Sequence, residues 1–204
     1  MAIYSYRTIQ SPAQGQYRDK GSKFLSFAFP VRSEEEVKWE LANLKKKFFD
    51  ASHHCYAYLL GADGKKVRAN DDGEPNHSAG DPILGQIRSH QITNVAIVVV
   101  RYFGGTKLGV SGLIQAYRGA ADEALKNAVI IEVEVQQSFQ LKFAYADTAE
   151  VMRLINDFQL TVTDRSYEIE CKIAASINLR HWDSFCTRLQ LLKALHHSID
   201  FTND

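Results

Sequence analysis

Asn94-Val95-Ala96-Ile97-Val98-Val99-Val100-Arg101 runs directly into Tyr102-Phe103-Gly104-Gly105-Thr106-Lys107-Leu108-Gly109 and then into Val110-Ser111-Gly112-Leu113. The first stretch is apolar and β-branched on both faces, which predicts a strand covered on both sides and so a central one. The second is a glycine-rich loop. From Val110 to Lys126 small residues recur (Ala116, Gly119, Ala120, Ala121, Ala124), predicting a helix that packs close to its neighbours. Strand, loop and helix in this order make the first part of the chain a β-α domain.

Working outward, two or three strands precede Val31. Ser33-Glu34-Glu35-Glu36 has the capping-box spacing, with Glu36 reaching back to the cap, and Val37, Leu41, Leu44 and Phe48 follow at helical spacing. Lys45-Lys46-Lys47 falls in the last turn of that helix, where the macrodipole favours cations; this explains the run more economically than phosphate binding does. His53 to Leu60 reads as a strand, Gly61, Asp63 and Gly64 as a turn, and Asn70 to His77 as a polar segment dense in turn formers. Asp81-Pro82 has the form of an N-cap with proline at the first helical position, opening a short helix to about Gln91. Val129 to Val135 closes this part as a strand.

From Gln137 the period changes. Phe139, Leu141, Phe143 and Tyr145 alternate with polar residues as in a one-sided strand. Asp147 and Glu150 resemble a capping box, with Val151, Leu154, Ile155 and Phe158 on the buried face of the helix they open. Leu160/Val162 and Tyr167/Ile169/Cys171/Ile173 predict two further strands. Asn178 caps a helix carrying Leu179, Trp182, Phe185, Leu189 and Leu192, and a strand near Ala194 to Phe201 follows. The order β-α-β-β-α-β is the split-βαβ, ferredoxin-like pattern. The chain is therefore α+β with a boundary near residue 135, giving domains over 1–134 and 135–204.

Composition bounds the function. The 204 residues are 45% apolar and 24% charged with a formal net charge of +0, which excludes disorder and a field of the whole chain that would draw in a polyanion. Residues 1–134 hold 17 of the 24 basic and 15 of the 24 acidic side chains, so a polyanion would need a local patch there. The longest apolar run, Val95 to Val100, is far below the ~18 residues of a membrane span. The first residues lack a signal-peptide layout, and Cys55, Cys171 and Cys186 form no CxxC pair. These features suit a reducing, cytoplasmic setting with no membrane partner, no disulfide framework and no metal or other cofactor.

Chemistry concentrates in two segments. The loop from Tyr102 to Gly112 leaves backbone N–H groups free at a helix start, an arrangement that favours anions, and Arg101 and Lys107 flank it with matching charge. It is not a nucleotide P-loop, because Val110-Ser111 stands where Lys-Ser/Thr belongs, and Gly105, Gly109 and Gly112 do not have the dinucleotide spacing. Asp71-Asp72-Gly73-Glu74 offers carboxylates for Mg²⁺ or a general base, although such residues also make ordinary turns. On the strand through His53, the side chains of His53 and Cys55 share one face and His54 takes the other; i, i+2 neighbours seldom form a Cys–His pair. His77, His196 and His197 have no partner at metal-ligand spacing. The C-terminal sheet presents Ser138, Gln140, Lys142, Ser166, Glu168, Glu170 and Lys172 on its polar face, without the aromatics that an RNA-reading sheet uses.

Asp71-Asp72-Gly73-Glu74-Pro75 with Ala79-Gly80-Asp81-Pro82-Ile83-Leu84, and Val100 through Tyr117, resemble the signature stretches of the IMPACT/YigZ family. Lys20-Gly21-Ser22-Lys23-Phe24 and His53-His54-Cys55-Tyr56-Ala57 match as well, so the resemblance covers essentially the whole chain. Asn76-His77-Ser78 departs from it where the family usually has a small residue and then Gly-Thr. The resemblance implies an N-terminal fold like domain 2 of a small-subunit ribosomal protein and a ferredoxin-like C-terminal domain, together like domains IV and V of the translocating elongation factor. Eukaryotic relatives regulate translation initiation through an additional N-terminal domain, for which 204 residues leave no room, so that regulatory partner is not expected to carry over.

The resulting expectation is a non-enzymatic RNA- or ribosome-associated binding protein that modulates translation, with a further protein partner there. Lys20, Lys23, Arg101, Lys107 and the backbone of Gly104, Gly105, Gly109 and Gly112 would contact phosphates, and Tyr102 or Phe103 would stack on a base. The alternative is a small-molecule enzyme that holds a phosphate or nucleotide at the glycine loop. His54, Asp71, Asp72 and Glu74 would then form its ligand or acidic site, with Arg101 stabilising developing charge.

Overall fold

The computed structural model describes residues 2–167 and 171–203. Glu168, Ile169 and Glu170, assigned above to a strand, lie outside the described residues. The chain forms two compact units, Ser5–Val133 and the residues from Glu134 onward joined by residues 2–4.

The first unit contains β1 (Ser5–Ile9), β2 (Ala13–Asp19), β3 (Ser22–Pro30), α1 (Glu34–Lys47), β4 (His53–Leu60), β5 (Lys66–Asn70), α2 (Gly80–Ser89), β6 (Val95–Tyr102), α3 (Gly109–Lys126) and β7 (Ile130–Glu134). Five strands form an antiparallel sheet in the order β2-β3-β6-β4-β5, and β1 pairs with β7. Val95, Ile97 and Val99 join the core beneath α2 and α3, while Ala96, Val98 and Val100 join the side chains of α1. Helices thus cover both faces of β6, which is why it reads as apolar throughout although its sheet is antiparallel. The small residues of α3 let it lie directly on β2 and β3, where Ser26 Oγ donates 2.5 Å to the Ala120 carbonyl.

Several local expectations are corrected. β5 lay in a stretch read as turn, because Lys66, Val67 and Arg68 are exposed edge residues that carry little apolar pattern. Ser33 does cap α1, accepting from Glu36 N–H, but Glu36 reaches the N–H of Arg32 (2.8 Å) and not that of Ser33. Asp81 is not the N-cap of α2. It lies inside the helix and accepts from His77 Nδ1, and the exposed backbone N–H groups of Ala79 and Gly80 go instead to Asp71 Oδ1 at 2.9 and 2.8 Å.

The second unit contains β8 (Gln136–Phe143), α4 (Thr148–Asp157), β9 (Thr161–Tyr167), β10 (Cys171–Asn178), α5 (Trp182–Ala194) and β11 (Ile199–Asn203). Its antiparallel sheet has the order β11-β8-β10-β9, the ferredoxin-like arrangement, with Phe139, Leu141, Ile173, Leu154 and Phe185 in its core. Tyr167 ends β9 rather than opening β10, where it pairs with Cys171. Asp147 precedes α4 without capping it: its carboxylate accepts from Ser198 N–H and pairs with His197 Nδ1. α5 extends through Ala194, so the last strand starts later than expected and His196 and His197 lie in the turn before it. Among the described residues, the outward face of β8 and β10 carries Ser138, Gln140, Lys142, Lys172, Ala174 and Ser176 and no aromatic side chain. Nor does any described helix have the length and apolarity to cross a membrane.

Candidate functional site

Alternation along β4 and β6 separates the candidate residues onto two faces of the sheet. Arg101 and Phe103 extend from β6 on the side of α3, whereas Tyr102 turns towards α1 and donates to Asp50 Oδ1 at 2.8 Å. Lys23 is the cross-strand partner of Tyr102 and shares that side. On β4, Cys55 joins the core beneath α3 and His54 takes the face of α1. Burial lowers the pKa of His54. Its backbone N–H donates to Asp72 Oδ2 (2.7 Å), and Lys45 approaches Asp72 Oδ1 at 3.2 Å. Tyr102, Lys23, His54 and Asp72 therefore stand apart from the glycine-loop cluster.

Three acidic side chains of one segment do three different jobs. Asp71 accepts from the N–H groups of His77, Ala79 and Gly80. Burial alone would raise its pKa, but those N–H groups prevail and hold it below the ordinary value. Asp72 belongs to the α1 face. Glu74 turns inward, where Oε1 accepts from Arg101 at 2.5 Å and from the Tyr117 hydroxyl at 2.7 Å, with His53 Nε2 at 3.9 Å. Among the described residues no three His, Cys, Asp or Glu side chains converge into a metal-ligand group. The Cys55 thiol lies 3.0 Å from the Asp71 carbonyl and 3.3 Å from the Tyr117 hydroxyl, while His53 Nδ1 pairs with the Asp72 carbonyl. Burial pushes the Cys55 thiol and the Tyr117 phenol far above their ordinary values, so neither ionises for nucleophilic work.

Arg101 is a buried member of this network and not an exposed phosphate ligand. Its guanidinium lies over the rings of Phe24 and Phe103, 5.4 and 5.6 Å from their centroids. Nη1 meets Glu74, Nη2 is 3.5 Å from Ser22 Oγ, and Nε is buried with no partner among the described residues. The glycine loop packs on the β2–β3 turn: a Cβ on Gly104 would stand 1.9 Å from the carbonyl carbon of Gly21, and Gly104 N–H donates to Ser22 Oγ at 3.2 Å. Only glycine admits this contact, which brings exposed Lys20 beside the loop. Gly105 and Gly109 hold φ of 86° and 72°, a left-handed conformation that releases the chain into α3. Gly112 lies in the first turn of α3 against Leu108.

The two sequence segments do meet. Glu74 and Pro75 form one wall of a cleft of about 340 Å³, and Phe103, Lys107, Gly109 and Leu113 form much of the other, with Arg101 at its base. α3 starts on this cleft, and Leu108 supplies no side-chain cap to it. Sequence reasoning missed Ser22, Pro75, Leu113 and Tyr117 as partners here. All but Leu113 lie far along the chain from Arg101 or the loop, and their only signal was membership of the matched stretches.

Residues 20–125 match the Impact N-terminal domain. IMPACT family member YvyE of Bacillus subtilis (strain 168) is 27% identical over 90% of this chain and 84% of its own. The IMPACT family member in pol 5'region of Thermus thermophilus is 46% identical over 52% of this chain and 56% of its own. Protein IMPACT of Mus musculus is 36% identical over 45% of this chain and 30% of its own. A solved structure described as that of a hypothetical protein covers 100% of this chain with a TM-score of 0.77 at 24% identity, a likeness of fold.

Proposed function

The chain belongs to the IMPACT family, and on that premise we propose that it is a non-enzymatic binding protein that associates with RNA or the ribosome and modulates translation. The reading rests on one observation: an uncapped helix start, exposed Lys107 and the glycine loop surround an open cleft, whereas the nearby acids and thiol are engaged with other groups. Such a surface suits holding phosphates more than transferring groups. With Arg101 committed to Glu74, the phosphate contacts fall to Lys107, Lys20 and backbone N–H groups. The near-neutral charge of the domain limits the number of phosphates neutralised, so the dependence on salt is shallow.

Ribosome co-sedimentation over a salt series tests this. The wild type is expected in the ribosomal pellet at low salt and is released as salt rises. A Lys20→Ala/Lys107→Ala variant, which alters only exposed side chains, should bind more weakly with a slope reduced by roughly 1–2, about 0.7–0.9 per lost phosphate contact. Absence of wild-type binding at low salt would overturn the proposal.

A further inference from the structure

The cleft between Pro75 and the start of α3 combines an anionic seat with an apolar wall. The seat has two independent components. The first-turn N–H groups of α3, from Gly109 and Val110 onward, carry the positive end of the helix dipole and receive no side-chain cap. Arg101, with only 6% of its side chain exposed, lines the same cleft and keeps a buried Nε without a partner among the described residues. A buried polar group left unpaired is costly, and a ligand that supplies its acceptor removes that cost. Arg101 and Lys107 against Glu74 leave the lining with one net positive charge. The wall is Pro75, Phe103, Val110 and Leu113, and Phe103 is 50% exposed, with a ring face free to take a planar partner.

A single phosphate attached to a flat, partly apolar body meets both demands. The cleft volume of about 340 Å³ is near the lower end of the ~300–1,000 Å³ span of ligand pockets. That suits one nucleotide and not a run of stacked ones. A duplex cannot enter so narrow a depression, whereas a free or terminal nucleotide can. We propose that this cleft is a mononucleotide site, in which the terminal phosphate sits on the first-turn N–H groups of α3 with Lys107 and Arg101 and the base packs on Phe103. The inference deepens the reading of the chain as an RNA-associated protein by assigning its glycine loop to a nucleotide end instead of to internal backbone.

The test is titration of the ¹⁵N-labelled full chain with AMP, adenosine and inorganic phosphate, followed by amide shifts and calorimetry. AMP should bind at least tenfold more tightly than adenosine, with the largest shifts at Gly109, Val110 and Lys107. Lys107→Ala, at an exposed position, should weaken AMP binding roughly tenfold, the loss of one charge-assisted hydrogen bond. Val110→Pro removes one N–H in the first helical turn, where proline is tolerated, and should weaken AMP more than adenosine. Short RNAs with and without a 5′-phosphate then identify the source: preference for the phosphorylated end assigns the site to RNA termini, and binding of AMP alone assigns it to free nucleotide. Equal affinity for AMP and adenosine, or shifts confined to residues outside the cleft, overturns the proposal. Because co-sedimentation is measured separately, ribosome association without any AMP binding would sink the mononucleotide site and leave the broader reading standing.

Discussion

Glu74 and Arg101 have side-chain exposures of 4% and 6% and hold each other charged in a setting that would not tolerate either alone. Tyr117 and the aromatic faces of Phe24 and Phe103 complete the enclosure. Removing one partner leaves an uncompensated buried charge, which typically costs about 3–5 kcal/mol, whereas replacing both with apolar groups costs much less. Glu74→Leu and Arg101→Met should therefore each destabilise the first unit strongly in urea denaturation, and the double variant should be more stable than the sum of the two predicts, by about 1–3 kcal/mol of coupling. Additivity within error would mean that the pair is not coupled. Both residues stood out in the sequence as chemistry-bearing, but their pairing did not. They are 27 residues apart, and nothing in local spacing distinguishes a carboxylate that turns inward from one that caps a helix, as Asp71 does.

The start of α2 shows why elements were easier to read than their ends. Ile83, Leu84 and Ile87 repeat at helical spacing and are buried, so the existence of the helix was legible from a local period. Its cap was not, because Asp71 supplies it from 8 and 9 residues upstream, beyond the window of any capping rule. β5 and the ends of β9 and β11 escaped for a related reason: exposed edge strands and turns carry little apolar period. Asp71 also sets a dependence on pH. Its pKa is depressed in the folded chain by backbone N–H groups that outweigh its burial. Its contribution is therefore present above the ordinary carboxylate pKa of ~3.9 and is lost as pH falls through the lower folded value. Asp71→Asn, which keeps one acceptor oxygen and loses the charge, should cost about 1 kcal/mol at pH 7. The difference from wild type should shrink below pH ~4. A difference that stays constant from pH 7 to pH 3 in urea titrations would mean that the charge of Asp71 contributes nothing.

At the scale of the molecule, the core of the first unit and that of the second share no residue. Each has its own sheet: five antiparallel strands with helices on both faces in one, and the ferredoxin-like order in the other. Both were visible in the sequence as a change from doubly apolar to alternating strands, because burial on one face or two imprints a different period on each strand. The candidate chemistry gathers in the first unit, while the second offers an outward sheet face without stacking aromatics among its described residues. This division makes a prediction about cooperativity. Phe185 is fully buried in the second core against Phe139, Phe158 and Trp182, so Phe185→Ala should cost that unit about 3–5 kcal/mol. Native-state hydrogen exchange should then show faster exchange along β8 and β10, with protection of β6 and the affinity of the cleft for AMP unchanged, since neither depends on the second core. Equal loss of protection in β6 would mean that the two units unfold as one cooperative body, and any account of the cleft would then have to include the second unit in its stability.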